Sequence, residues 1–447
     1  DIPAARYGAP WTYYTDNDYA DAAGDHRAEI AVGRFPARSA AQVEVMVAKT
    51  LSYEWDPDLT DTLWMRRLTT VVREDGDAND TIYWNDMRHA AVLAGANGFV
   101  GCDSFSRLRG DDSLDVYASL ERGTGFVLYR GSAVGNWARP FRILPHRTTD
   151  YDRLPVVLSV TCATMSLNPF DSMVGRAWPM AGSADSLIGA VAFYGNSRVA
   201  HWVSRLRSAT ARGFFTALFT DRRHLLGSAT LRTKELLYDA YPQETDEYRG
   251  FNLFGDPGLR LWTGTPRRID VVHPDTIRFG PQELVVSVSL DSGPVQGAIV
   301  CASMDTTVYV CDTTDDQGSA AMVVAPKTTG VLRVVVTGQN LLPYSGSILV
   351  RNLTGVVEQD ERTAGTIALT ARPSAFRTKT QIHWAVPALA GWSLTLVDAT
   401  GREVECLTEL EGTRAELDSR IPAGVYLAVL RDAHGSVIAS TRLTKLQ

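Results

Sequence analysis

Positive charge is not in excess in this chain, and its absence removes one large class of function. The 44 Lys and Arg are outnumbered by 51 Asp and Glu, giving a net charge of −7. There is no basic field of the kind that neutralises phosphates, so nucleic acid is not an expected partner. Long apolar runs are also lacking. None reaches the roughly 18 residues a helix needs to cross a bilayer, and the opening DIPAARYGAP has neither the charged start nor the apolar stretch of a signal peptide. Export remains compatible with this, since a leader or pro-segment could be removed ahead of Asp1. Cysteine is scarce: Cys102, Cys162, Cys301, Cys311 and Cys406 are the full set. They are too few and too irregular for a disulfide scaffold, and no CxxC pair suggests zinc. Low-complexity tracts and short solenoid repeats are missing as well.

What is present is the composition of an ordinary globular protein, 45% hydrophobic and 21% charged over 447 residues, enough for two or three domains each with a core. Up to about residue 265 short apolar runs alternate with helical stretches. Ser39–Glu54 reads as an amphipathic helix with Ser39 and Gln42 as a capping-box pair and Val43, Met46, Val47 and Leu51 on its apolar face. Strands are expected at Leu68–Val72, Phe126–Tyr129, Pro155–Val160 and Leu187–Tyr194, and helices near Ile82–Ala96, Arg205–Phe219 and Ser228–Tyr241. Runs so continuously apolar are buried on both faces, as in a parallel sheet covered by helices. From Pro266 the helical period disappears, and Val- and Thr-rich segments alternate with Gly, Asp and Pro turns. The organisation expected is an α/β domain over 1–265, an all-β sandwich over 266–352, a polar linker over 353–365, and a second all-β sandwich over 366–447, each sandwich about the size of an immunoglobulin-like domain.

In an open parallel sheet, chemistry collects beyond the carboxyl ends of the strands. Two strand ends stand out: Pro155–Val160 runs into Thr161-Cys162-Ala163, and Phe126–Tyr129 runs into Arg130-Gly131-Ser132-Ala133. The ordered set EIAVGRFPARS, FVLYRG, PVVLSVTC, LIGAVAFYG and FNLFGDPGLRLW resembles the gingipain-like cysteine peptidases, which have a caspase-like fold. The resemblance covers about the first 265 residues. It implies that Cys162 stands at the nucleophile position, that the backbone N–H groups of Cys162 and Ala133 form the oxyanion hole, and that Glu74 stands near the dyad base. The substrate class implied is peptide or protein. The block at 267–352 resembles the immunoglobulin-like domain that follows such catalytic domains. The last block, with PSAFRTKTQIHW, SLTLVDATGREV and IPAGVYLAVL, resembles the C-terminal sorting domains of proteins exported by the type IX secretion system, which implies contact with the secretion machinery and a secreted or cell-surface location.

The chain departs from that pattern where it matters most. The peptidases have Tyr-x-Gly-His-Gly where this chain has Tyr129-Arg130-Gly131-Ser132-Ala133, so Ser132 occupies the position of the dyad histidine. A hydroxyl cannot take a thiol proton at neutral pH. Two readings from different classes remain: a peptidase of weak or lost activity, and a non-catalytic surface pseudopeptidase that binds peptides or protein partners. His146 and His201 are the candidate substitute bases. The family's further parallel strand ahead of the segment matching Asp1–Tyr14 is not in the sequence, so the chain is expected to begin inside its first subdomain.

Three further features carry expectations. Asp16, Asp18, Asp21 and Asp25 crowd one turn, an oxygen-rich pattern that suits structural calcium, with a solvated acidic turn as the alternative. Cys301 and Cys311 flank a turn near Asp305–Thr307, where either a cross-strand disulfide or two reduced core cysteines fit. Trp137, Trp178 and Trp202 line either the site or its core.

Overall fold

The computed structural model describes residues 4–8, 12–148, 152–201, 203–351, 369–384, 390–398, 401–408, 410, 412–418, 420–433, 435 and 437–446. The expected linker 353–365 and Trp202 lie outside the described residues. The chain divides into two compact units, Asp1–Leu353 and Thr354–Gln447.

The first unit is built on a six-stranded sheet: β1 (Arg67–Arg73), β2 (Gly101–Ser106), β3 (Phe126–Gly131), β4 (Val156–Val160), β5 (Ala192–Asn196) and β6 (Phe251–Phe254). Their spatial order is β6-β5-β4-β3-β1-β2. All neighbours are parallel except β6, which closes the edge antiparallel to β5. The longer helices are α1 (Ala40–Trp55), α2 (Asn79–Ala96), α3 (Ser113–Glu121), α4 (Ser204–Phe215) and α5 (Leu226–Ala240). All six residues of β3 are buried. Their period of two feeds separate cores: Phe126 and Leu128 pack with Met87, Ala90, Phe214 and Phe215 on one face, and Val127 and Tyr129 with Val116, Leu120, Trp137 and Trp178 on the other. A strand with both faces covered has no reason to alternate polar residues, and FVLYRG does not begin to do so until Arg130.

Two sequence expectations shift. The apolar run Leu187–Tyr194 is not one strand: Ser186–Leu187 pairs with Gly182–Ser183 in a small hairpin, and β5 begins only at Ala192. Helix α1 starts where expected, with Gln42 N–H donating to Ser39 Oγ at 3.4 Å, but the Gln42 side chain accepts from Arg38 N–H and not from Ser39. Its buried face is Val45, Met46, Lys49, Thr50 and Tyr53, while Val43, Val47 and Leu51 are exposed. The helix turns this way because the Lys49 ammonium reaches three carbonyls, of Trp178, Pro179 and Ala190, at 2.9–3.4 Å. Burial pulls the Lys49 pKa down to about 7.

The rest of the first unit is a two-sheet β-sandwich. One sheet joins Asp270–Val272, β7 (Gln282–Leu290), Gly293–Pro294 and β10 (Ser319–Val324). The other orders Thr276–Arg278, β12 (Leu341–Arg351), β11 (Gly330–Gly338), β8 (Ile299–Met304) and β9 (Val308–Thr313). Alternate residues of β7 and β11, among them Leu284, Val286, Leu332 and Val334, fill the core between the sheets, the half-buried pattern of antiparallel strands. Cys301 and Cys311 stand opposite each other on β8 and β9 and form a disulfide. The sandwich is fastened to the α/β body by Asn340 Oδ1, which accepts from Thr263 N–H at 3.0 Å, and by Gln339 Nε2, which donates to Leu261 O at 2.8 Å.

The second unit also has two sheets. One is β13 (Leu369–Arg372), β14 (Thr380–Trp384) and β17 (Arg414–Leu417). The other runs Ala375–Phe376, β19 (Val437–Lys445), β18 (Gly424–Arg431), β15 (Ser393–Asp398) and β16 (Glu403–Leu407). Its own core includes Ile382, Trp384, Leu394, Leu396, Ala428 and Leu430.

Candidate functional site

Strands β3 and β4 run side by side with Arg130 opposite Val160, so the next residues of each, Gly131-Ser132-Ala133 and Thr161-Cys162-Ala163, leave the sheet together. Two hydrogen bonds stitch the loops: Thr161 Oγ1 donates to Gly131 O, and Gly135 N–H donates to Ala163 O at 2.7 Å. Gly131 has φ +138°, and a Cβ there would strike the backbone of Arg73 at the end of β1. This close approach is what glycine permits. Ser132 and Cys162 therefore stand in neighbouring loops that are hydrogen-bonded to one another, and Ala133 is buried and pairs with Trp137 in a two-residue hairpin.

The groups around them differ from a thiol–base pair. Ser132 Oγ donates to Asp75 Oδ2 at 2.5 Å, and Asp75 is itself in an ion pair with Arg73. Glu74 is not the carboxylate at this site. It is 1% exposed and turned the other way, accepting from Ser106 Oγ at 2.5 Å and Trp84 Nε1 at 3.1 Å. Consecutive residues leaving a strand point to opposite sides, so the acidic neighbour of Ser132 is one position further on.

The Cys162 sulfur receives Arg207 Nη1 at 3.0 Å, and its thiol is directed at Ala200 O, 3.4 Å away. Among the described residues these are its hydrogen-bond partners, and no histidine is one of them. His146 lies exposed in a short turn over Pro145–Arg147, and His201 is an exposed residue next to Ala200. Arg207 comes from α4 and is buried. Its Nε donates to Glu247 Oε1 at 2.6 Å, and Glu247, fully buried, also accepts from Asn196 Nδ2 at 2.6 Å and Arg198 Nη1 at 2.9 Å. Burial alone would pull the Arg207 guanidinium down, but Glu247 and the sulfur together hold it above its ordinary value. Behind Cys162 lies a second buried pair, Arg130 Nε to Asp86 Oδ2 at 2.9 Å. Asp86, Arg207 and Glu247 have no local signature: each is joined to its partner only by the fold, Arg207 to Cys162 across 45 residues.

Trp137 and Trp178 do not line a cleft. They are buried, Trp137 stacked on Tyr129 with centroids 4.6 Å apart and Trp178 beside it. The four-aspartate calcium set also fails to assemble. Asp16 is held by Arg34 through two hydrogen bonds, one of them 2.8 Å from Nε to Oδ2, and Asp18 accepts from Tyr7 OH at 2.6 Å. The carboxylates that do converge are Asp21, Asp25 and Glu29, with ligand oxygens within 4.8 Å of one another. Those of Asp21 already accept from the backbone N–H groups of Gly24, Asp25 and His26.

A sequence model of peptidase family C25 matches residues 1–262, more than half of the chain. The protein belongs to peptidase family C25. Among curated relatives it is 20% identical over 364 residues to gingipain R1 of Porphyromonas gingivalis, covering 77% of this chain and 36% of that protein. With gingipain R2 it shares 19% over 368 residues, 76% of this chain and 50% of the relative. This C25 chain thus spans half or less of the length of those relatives. The crystal structure of the Arg-specific cysteine proteinase gingipain R superposes with a TM-score of 0.68 at 19% identity, over 78% of this chain and 82% of that one. A complex of the P. gingivalis RgpB pro- and mature domains does so with a TM-score of 0.64 at 19% identity, over 76% and 81%. The gingipain fold is therefore shared over 78% of this chain. In this C25 member the string Phe254-Gly255-Asp256-Pro257 marks the end of β6, where Gly255, at φ +145°, packs directly on Ala192 of β5.

Proposed function

We propose that this C25 chain is an exported pseudopeptidase: it keeps the strand-end cleft of a cysteine peptidase and uses it to bind peptide or protein partners, with peptide-bond hydrolysis weak or lost. The observation that carries this reading is the contact of Cys162 with Arg207. A neighbouring cation can favour the thiolate of a cysteine, but acyl transfer to it also needs a group that hands a proton to the leaving amine, the second task of a dyad histidine. Here the neighbour is a guanidinium, which has no lone pair to accept a proton and is held in place by Glu247. The hydroxyl at position 132 donates its own hydrogen to Asp75 and is no base at neutral pH. The peptidase alternative would need a proton-exchanging group brought in from elsewhere to serve the leaving amine, His201 beside Ala200 being the nearest in sequence to the groups that touch the sulfur.

Export rests on the resemblance of the last block to type IX sorting domains and is supported by the Cys301–Cys311 bridge, since disulfides persist in oxidising compartments. An immunoglobulin-like assignment for the two sandwiches is consistent with their paired sheets. Structural calcium, if bound at the acidic turn, falls to Asp21, Asp25 and Glu29. The reading is tested by titrating a mixed peptide library against the chain and against Cys162→Ala. Retained peptides with both proteins, and no shortened products from either, are expected; products formed only with Cys162 intact would return the chain to the peptidases.

A further inference from the structure

Helix α5, strands β5 and β6 and the segment 16–32 surround a small cavity of about 30 Å³. That is room for about two water-sized atoms, such as the two oxygens of one carboxylate. The walls are mostly apolar, with Ala20, Ile30, Leu231 and Phe251 among them. Ile30 is also exposed, so the cavity opens to solvent on that side.

Most of the polar side chains that line it already have their partners. Asp16 is paired with Arg34. Asn17 Nδ2 donates to His26 O at 3.0 Å. Asn252 Oδ1 accepts from Asp16 N–H at 2.9 Å, and its Nδ2 donates to Gly250 O at 2.8 Å. Thr230 Oγ1 donates to Gly227 O at 3.1 Å. Two groups are left with donors to spare. Tyr194 is 1% exposed, and its hydroxyl has no hydrogen-bond partner among the described residues, a costly state that native structures rarely leave uncorrected. Lys234 is also buried, and an ammonium has three N–H donors. Its Nζ donates to Asn17 Oδ1 at 2.9 Å, its hydrogen-bond partner among the described residues, and stands 4.9 Å from the centroid of the Tyr248 ring. The carboxylate that acts on it, Asp16, is shared with Arg34. Lys234 thus lacks an anion of its own, and burial pulls its pKa down to about 7.

We propose that this cavity is a binding site for a short-chain monocarboxylate such as acetate or propionate, whose carboxylate takes the spare donors of Lys234 and Tyr194 and whose alkyl end lies against Ile30 and Leu231. Charge selects an anion, since a buried ammonium is stabilised by a counter-ion that also accepts its hydrogen bonds. Two donors among apolar walls select against phosphate and sulfate, which would leave charged oxygens unpaired against Ala20 and Phe251. Chloride offers neither two separate acceptor atoms nor an apolar part. None of the lining residues belongs to the loops of Ser132 or Cys162, so the inference does not rest on the function proposed above.

The test follows thermal unfolding of the full chain just below pH 7, where Lys234 carries its proton, in millimolar sodium propionate. The melting temperature is expected to rise saturably by a few degrees, because a ligand bound only by the folded state stabilises it by mass action. Sodium chloride and propionamide at the same concentrations should give no such rise. Tyr194→Phe removes only the unpartnered hydroxyl, so this variant should fold and should need about tenfold more propionate for the same rise. Lys234→Met should lose the response, and if it does not fold, Tyr194→Phe decides the matter alone. No rise, an equal rise in chloride or propionamide, a response surviving Lys234→Met, or an unchanged response in Tyr194→Phe would each overturn the proposal. Loss of peptide binding by the unmodified chain would bear on the function proposed above and leave this result untouched.

Discussion

Arg207 Nη1 lies 3.0 Å from the sulfur of Cys162, and its Nε lies 2.6 Å from Glu247 Oε1. The position that resembles a peptidase nucleophile is thus the outer end of a buried charge relay running from Glu247 through a guanidinium to a thiol.

Glu247 is the anchor of the relay, being fully buried with Arg207 and Arg198 both on it. Glu247→Ala leaves the Arg207 charge buried without its counter-ion, a change that typically costs about 3–5 kcal/mol. Urea unfolding of the variant should show a loss of this order. A loss below about 1 kcal/mol would mean that the pair is dispensable and that Arg207 is not held against the sulfur.

The Cys301–Cys311 bridge closes a short hairpin, with a sequence separation of 10 between the two positions. Replacing both cysteines by Ala frees the unfolded chain and should destabilise the protein by about 2–4 kcal/mol. Thermal unfolding of the double variant beside the oxidised parent checks this. Identical melting temperatures would show that the hairpin gains nothing from the bond.

Lys49 gives a pH dependence of known sign. Its pKa is pulled down to about 7 by burial, against about 10.4 in an unfolded chain. Between about pH 7 and pH 10 the unfolded chain carries a proton there and the folded chain does not, so stability rises with pH by up to about 1.4 kcal/mol per unit from this group. Lys49→Met should remove that part of the slope and leave the part due to Lys234, also pulled down to about 7 by burial. Parallel stability–pH curves for variant and parent would show that Lys49 stays charged in the fold.

The sheet is legible in the sequence because Phe126–Tyr129 and Pro155–Val160 are apolar on both faces, and a doubly covered strand leaves that signature in consecutive residues. The strand-end logic then places Ser132 and Cys162 in neighbouring loops at the ends of two adjacent strands. The facing of helix α1 is not legible, because Lys49 counts as polar in any periodicity yet is buried on three carbonyls while Val43, Val47 and Leu51 face out. The acidic residue at the site is displaced by one from expectation, from Glu74 to Asp75, since a resemblance carries position but not the side of the chain a residue leaves from. Arg207, Glu247, Asp86 and the burial of Arg130 are not legible at all. Their pairings span from 40 to 126 residues, and each residue taken locally looks like a solvated charge on a helix or loop.

Restoring the missing imidazole is the constructive counterpart of the account. Ser132→His with Ala133→Gly sets an imidazole beside Asp75, in the loop stitched to that of Cys162. Losing a general base typically costs a factor of about 10² to 10⁴ in rate, so the double variant should gain Cys162-dependent peptide hydrolysis over the parent. No gain, with the fold intact by circular dichroism, would mean that Arg207 blocks the thiol even when a base is supplied.

The most direct measurement is peptide hydrolysis by the unmodified chain compared with Cys162→Ala, using a mixed peptide library at neutral pH. A pseudopeptidase whose thiol faces Arg207 should release products no faster than the Cys162→Ala variant. Robust cleavage that disappears with Cys162→Ala would contradict the account, because it would require a proton-exchanging group for the leaving amine where the structure has Arg207 and Ser132.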